Sequence, residues 1–192
     1  MRSQVKNRAL VLSGGGARAA YQAGVLKAIS DLLLEHSLEL QPFHIFSGES
    51  AGAINVSLLA SYADDFRKGT EELWNCWHDL EMEDILSTGT LSLLGNAGRW
   101  LGELGLGGIF RKDSPVFLLD NSPLRAFLER RINLTRVRQL IQNKKLLGLG
   151  ISVTNYATGS AITFYDSAEK VEPWSRSHRL GMPVKLELAH VL

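Results

Sequence analysis

The chain has 192 residues, 45% of them hydrophobic, and is long enough to form one domain with a sizeable core. Its formal net charge of +1 gives no electrostatic basis for binding nucleic acid. The single cysteine, Cys76, excludes an intramolecular disulfide and fits a reducing compartment, so we expect a cytoplasmic protein. We expect no secretory signal, because the basic residues 1–8 precede an apolar run that ends at Leu12, and no run is long enough to span a bilayer.

The first predicted unit is a strand, a glycine-rich turn and a helix. Residues 9–12 form an apolar run typical of a buried strand, and Ser13-Gly14-Gly15-Gly16-Ala17-Arg18 follows at once. Apolar residues spaced by three and four then predict a helix over 19–36. A glycine-rich turn between a strand and a helix exposes backbone N–H groups that can bind an anion. The candidate anion-binding residues are therefore Gly14, Gly15 and Gly16.

Two kinds of anion fit such a turn. One is a nucleotide phosphate, but Ala19 stands at the third glycine position of the G-x-G-x-x-G pattern, and no acidic residue closes a second strand about 20 residues later. The other is the oxyanion of acyl transfer, which requires a nucleophile nearby. Ser50 follows the next predicted strand, and turns after successive parallel strands meet at one edge of a sheet. The sequence therefore favours the oxyanion.

A second apolar run, residues 43–46, leads into Gly48-Glu49-Ser50-Ala51-Gly52, the G-x-S-x-G pattern of a nucleophile elbow. In such an elbow the serine occupies a strained turn, and Gly48 and Gly52 let the strand and the following helix cross closely. A helix predicted over 51–61 directs its N-terminus, including the Ala51 amide, at an oxyanion beside Ser50. Ser50 is thus the candidate nucleophile.

The rest of the chain alternates between helical and strand patterns. Three further helices are predicted. The first starts at Asp64 or Asp65 and runs to about Trp77, the second starts at Ser122, and the third runs from a Thr135 cap to Asn143. Further strands are predicted at 145–154, 160–165 and 184–189. This order predicts an α/β fold with a mainly parallel sheet and helices on both of its faces.

Residues 87–114 have a different composition, with seven glycines among leucines and aromatic residues. One interpretation is a mobile lid that holds acyl chains or enters a lipid interface. The other is an irregular segment that packs on the rest of the domain.

Together these motifs resemble the patatin-like phospholipase family. The Gly14–Arg18 turn is similar to the family's oxyanion loop, and the Gly48–Gly52 elbow follows it at the family's spacing. The helix start at Ser122 and the strand-like residues 149–155 resemble later parts of the family, so the resemblance covers the whole chain as one domain, 1–192. It implies a three-layer α/β sandwich, no metal or organic cofactor, and an Arg18 that positions the loop or contacts a phosphate or carboxylate of the lipid.

The family pairs its serine with an aspartate in a late Asp-Gly-Gly or Asp-Gly-Ala motif. No aspartate of this chain is followed by glycine. The resemblance therefore implies an N-terminal portion that is incomplete at the C-terminus, before the catalytic base, with a naturally short inactive homologue as the alternative. By chain order, His178 and His190 fall where a triad histidine could lie, but neither has a supporting carboxylate motif.

These features lead us to expect a serine acyl hydrolase of the phospholipase A or lipase type, in which Ser50 attacks an ester carbonyl. We expect the 192-residue chain itself to be inactive. Its partners would be a lipid or other acyl ester and, peripherally, a membrane surface, with no nucleic acid. A homologue that binds lipid or a partner protein without turnover is the alternative function, and the sequence leaves the oligomeric state open.

Overall fold

The computed structural model describes residues 7–38, 40–81, 122–155 and 157–192. The predicted lid segment, residues 87–114, lies outside these ranges. The chain divides into two compact units, of which the first combines residues up to 78 with those from 131 onward and contains the sheet. The second unit covers residues 79–130, and its described element is the helix that begins at Ser122.

Within the described ranges, six strands form one mixed sheet. They are β1 (Ala9–Leu12), β2 (Ile45–Glu49), β3 (Gly148–Asn155), β4 (Ser160–Ser167), β5 (Trp174–Arg176) and β6 (Arg179–Pro183). Their order across the sheet is β1-β2-β3-β4-β6-β5. The pairs β1–β2, β2–β3 and β4–β6 are parallel, whereas β3–β4 and β5–β6 are antiparallel. The predicted α/β class is confirmed.

The described residues form six α-helices, of which the one that begins at Ser122 belongs to the second unit and the other five belong to the unit that contains the sheet. They are α1 (Ala19–Glu35), α2 (Ala51–Ala60), α3 (Phe66–His78), α4 (Ser122–Arg131), α5 (Leu134–Gln142) and α6 (Leu188–Val191). Helices α1, α2 and α3 pack on one another, and α2 also contacts β1, β2 and β3. Asp65 caps α3, because its Oδ1 accepts a hydrogen bond from the Lys68 amide at 3.0 Å.

The hydrophobic core lies between the sheet and α2. Side chains alternate along a strand, so Leu12, Phe46 and Leu149 are buried on the helix-covered face, whereas Val11 points to the opposite face and is 72% exposed. Helix α2 is buried on nearly all sides, and nine of its ten residues are buried. Such a helix has an apolar sequence without an amphipathic stripe, as the residues after the elbow show.

Two local predictions are wrong. Asn133, not Thr135, caps α5: its side chain accepts a hydrogen bond from the Arg136 amide at 2.9 Å, and the helix begins one residue before Thr135. No strand forms at 184–189. The preceding strand ends at Pro183, which has no N–H to donate to a ladder, and the residues from Leu188 form a helical turn.

Candidate active site

Ser50 occupies a sharp turn between β2 and α2. Its φ of 50° and ψ of −130° lie in a region that side-chain-bearing residues rarely adopt. The helix starts immediately afterwards, since the Ser50 carbonyl accepts a hydrogen bond from the Ala53 amide at 2.8 Å. Ser50 is exposed to solvent. The turn therefore presents a serine hydroxyl at the end of a parallel strand, which is the arrangement of a nucleophile elbow.

Gly48 and Gly52 make this turn sterically possible. A Cβ atom on Gly48 would overlap the backbone of Gly52 and lie 2.7 Å from the Val56 side chain. One on Gly52 would overlap the Leu12 carbonyl and lie 2.7 Å from the Ser13 carbonyl. Strand β2, helix α2 and the end of β1 thus meet at distances that leave no room for a side chain at either glycine.

The glycine-rich loop lies directly beside the elbow. Strands β1 and β2 are parallel neighbours with Leu12 opposite Gly48, so the segments that follow them leave the same edge of the sheet. Gly14 is the contact point. A Cβ atom built on it would lie 3.0 Å from Ser50 Cβ and 3.6 Å from Ser50 Oγ. An acyl carbonyl attacked by Ser50 would therefore come within reach of the loop backbone.

After Gly14 the loop turns into α1 through one turn of 3₁₀ helix at Gly16–Arg18. Gly16 has a φ of 55°, a conformation that glycine adopts without steric cost. The Arg18 amide donates a hydrogen bond to the Gly15 carbonyl at 3.2 Å and so closes the turn. The Arg18 side chain is exposed, and among the described residues its guanidinium forms no ion pair.

Ala51 is the first residue of α2 and contributes the N-terminal end of that helix to the site. The first N–H groups of a helix have no partner within it, and the helix dipole adds partial positive charge there. The Ala51 amide therefore lies immediately after the serine with its N–H outside the helical hydrogen-bond pattern. Gly14 of the loop and the start of α2 thus both lie next to Ser50.

Glu49 is a site residue that the sequence pattern did not single out. Its Oε1 accepts a hydrogen bond from the Gly14 amide at a loose 3.4 Å, and the side chain is exposed. The variable position of G-x-S-x-G carries no chemical requirement, so nothing in the sequence indicated that it would reach the loop. The Glu49 carboxylate therefore links the elbow to the first glycine of the loop.

Neither of the two C-terminal histidines forms a hydrogen bond with Ser50. His178 forms the turn between β5 and β6, with a φ of 57°, and β6 is three strands away from β2. At about 4.8 Å per strand this corresponds to roughly 14 Å. The His190 ring packs edge-on against Phe164 at 4.8 Å, and its Nδ1 accepts a hydrogen bond from the Glu187 amide at 3.0 Å. The contacts of the His190 ring are thus local, and the strand order separates His178 from the elbow.

Three further polar residues connect the site to the helices behind it: Gln22 on α1, Asn55 on α2 and Trp77 on α3. One signal in the sequence could have indicated them. Asn55 is the one amide in a helix whose only other polar side chain is Ser57, and a buried amide needs hydrogen-bond partners. No group of three or more metal-ligating side chains occurs in the described parts of the chain. None of the helices described there has the length and apolar composition needed to cross a membrane.

Comparison with known proteins agrees with this geometry. The family model of the patatin-like phospholipases matches residues 10–179, which include the glycine-rich loop, the elbow and the whole of strands β2 to β5. Neither the comparison with curated proteins nor the comparison with solved structures gave a match. The matched region is most of the chain, and the chain therefore belongs to the patatin-like phospholipase family, a family of lipid acyl hydrolases.

Proposed function

We propose that the protein is a serine acyl hydrolase of the phospholipase A or lipase type and that Ser50 is its nucleophile. The observation that carries this proposal is the contact between the strained serine turn and the Gly14 backbone, at 3.6 Å from Ser50 Oγ to a Cβ built on Gly14. Ester hydrolysis needs a nucleophilic oxygen next to preorganised donors, and this contact brings the two together.

In the proposed reaction, Ser50 Oγ attacks the acyl carbonyl and the carbonyl oxygen becomes an oxyanion. The N–H groups of Gly14, Gly15 and Gly16, together with that of Ala51, stabilise this charge. Collapse of the intermediate expels the alcohol and leaves an acyl-serine, which water then hydrolyses to the free acid. Backbone donors carry the developing charge, and Arg18, exposed at the rim of the loop, contacts an anionic group of the lipid.

The proposed reaction also needs a group that accepts the proton of the Ser50 hydroxyl. Glu49 points to the Gly14 amide, and neither His178 nor His190 forms a hydrogen bond with Ser50, so we assign the acceptor to none of them. The proposal gives this role to an aspartate followed by glycine, a pair that the 192 residues lack. The chain by itself is then a poor catalyst, and a longer form that contains such a motif is active. We place the protein in the cytoplasm, in peripheral contact with the lipid surface that carries its substrate.

The test uses a short-chain p-nitrophenyl ester and a phospholipid vesicle, with the 192-residue chain and the longer form assayed in parallel. Ser50→Ala should abolish turnover by the longer form while the free energy of unfolding stays close to that of the wild type. Ser47→Ala is the matched control, because it removes a hydroxyl from the same strand three residues earlier. Appreciable turnover by Ser50→Ala would refute the assignment of the nucleophile. Vesicle binding without turnover by any form would support the non-catalytic alternative instead.

A further inference from the structure

A continuous chain of side-chain hydrogen bonds runs from α3 to the glycine-rich loop. Trp77 Nε1 donates to Asn55 Oδ1 at 2.7 Å, and Asn55 Nδ2 donates to Gln22 Oε1 at 2.9 Å. Gln22 Nε2 in turn donates to the Ser13 carbonyl at 2.9 Å. The second Nδ2 hydrogen of Asn55 has an acceptor too, the Ala19 carbonyl at 3.1 Å. The chain therefore ties three helices to the residue that precedes Gly14.

Asn55 is the buried centre of this chain. Its side chain is 0% exposed and lies in the helix that carries the elbow, among apolar neighbours. Burial of an amide is unfavourable unless its donors and acceptor are all used, and here they are. Because both ends of the Asn55 amide are fixed, Gln22 is held in one orientation. Its free Nε2 group then points to Ser13.

The Ser13 carbonyl controls the direction of the Gly14 N–H. Both belong to one planar trans peptide, so the C=O and the N–H point in opposite directions. A peptide followed by consecutive glycines rotates easily, since glycine tolerates both signs of φ. In the structure the Ser13 oxygen is held toward α1 by Gln22, and the Gly14 N–H consequently points toward the elbow, where Glu49 is its acceptor.

We propose that Gln22 is a positioning residue for the oxyanion hole, held in place by Asn55 and Trp77. It fixes the Ser13–Gly14 peptide so that the Gly14 N–H faces the acyl oxygen at Ser50. This inference rests on the proposed function, since it assigns a role in the same reaction. Gln22 acts through the loop backbone and makes no contact with the reacting atoms.

The first test compares Gln22→Leu with Gln41→Leu in the longer, active form. Gln41 is the matched control: its amide also makes two hydrogen bonds, to Phe43 O at 3.1 Å and from the Phe66 amide at 3.2 Å, outside the glycine-rich loop. Loss of one oxyanion donor costs about 10²–10³-fold in kcat, so partial misorientation in Gln22→Leu should cost at least about 10-fold. KM should change by less than about 3-fold, and Gln41→Leu should keep the wild-type kcat.

The second test uses Gln22→Glu, which keeps the acceptor for Asn55 but loses the donor to Ser13. A carboxylate facing the Ser13 carbonyl should lower kcat at pH 7 as much as leucine does. A protonated carboxyl can donate again, and the ordinary pKa of a glutamate is about 4.3. The kcat of Gln22→Glu relative to the wild type should therefore rise as the pH falls from 7 toward 5. A ratio that stays constant over this range would indicate a packing role and overturn the inference.

The third readout does not depend on activity. In a crystal structure of Gln22→Leu, the Ser13–Gly14 peptide should be rotated or should occupy two orientations, whereas Gln41→Leu should show the wild-type peptide. A wild-type orientation in Gln22→Leu, or an unchanged kcat, would overturn the inference. If the wild-type enzyme hydrolyses no ester, the proposed function fails, and the peptide orientation alone decides whether Gln22 positions the loop.

Discussion

Replacement of Ser50 by glycine should make the protein more stable than replacement by alanine, although both remove the hydroxyl. The reason is the backbone: at a φ of 50° and a ψ of −130°, a residue with a Cβ carries strain of about 1–3 kcal/mol, and glycine does not. Glycine also adds freedom to the unfolded chain, which costs about 0.4–1 kcal/mol. The net gain in the free energy of unfolding should be about 1 kcal/mol, or about 2–4 °C in Tm for a domain of this size.

Urea unfolding of Ser50→Gly and Ser50→Ala, followed by circular dichroism, measures this difference. Ala28→Gly is the matched control because Ala28 is an exposed residue inside α1, where the backbone is helical. The same introduction of a glycine should there lower the free energy of unfolding by about 1 kcal/mol. Glycine in place of alanine is thus expected to raise the free energy of unfolding at position 50 and to lower it at position 28. A Ser50→Gly variant no more stable than Ser50→Ala would refute the argument that the elbow stores strain.

Two further predictions follow from the glycines. Gly52→Ala should lower the free energy of unfolding by about 3 kcal/mol, because its Cβ would overlap the Leu12 carbonyl and lie 2.7 Å from the Ser13 carbonyl, and backbone atoms cannot rotate away. Urea unfolding checks this, and a variant within about 0.5 kcal/mol of the wild type would contradict the close crossing of β1 and α2. Gly16→Val should lower kcat for a short-chain ester by about 10²–10³-fold, because valine does not adopt the φ of 55° without strain and the loop donors would shift. Wild-type kcat in that variant would remove Gly16 from the oxyanion hole.

The elements that build the site could be read from the sequence because local patterns determine them. The strand at residues 9–12 and the helix that starts at Ala51 lie where the sequence places them. An apolar run followed at once by glycines leaves few conformations other than a buried strand and a tight turn. Strand β2 begins later than predicted, at Ile45, which pairs with Ala9, the first residue of β1.

The parts that could not be predicted depend on contacts between residues distant in the sequence. Gln22 and Asn55 are 33 residues apart, and Glu49 and Gly14 are 35 apart. The antiparallel β5–β6 pair had no signal, because its residues are largely exposed and do not alternate between apolar and polar. Strand β6 pairs with β4, and the composition of neither strand indicates this partner.

The packing of helix α2 accounts for the strained conformation of the elbow that precedes it. A strained serine persists only when its surroundings leave the chain no relaxed alternative. Helix α2 meets this condition because it is buried on nearly all sides, with Gly52 against the end of β1 and Gly48 against the helix. Rotation of the Ser50 peptide would have to move the whole buried helix. The hydrogen-bond chain from Trp77 to Ser13 passes through Asn55 on the same helix, so the packing that holds the Ser50 turn also holds the Ser13 carbonyl of the glycine-rich loop. Ser50 and the loop that we propose as its oxyanion hole are thus both held by one buried helix, and disruption of α2 packing should affect both at once.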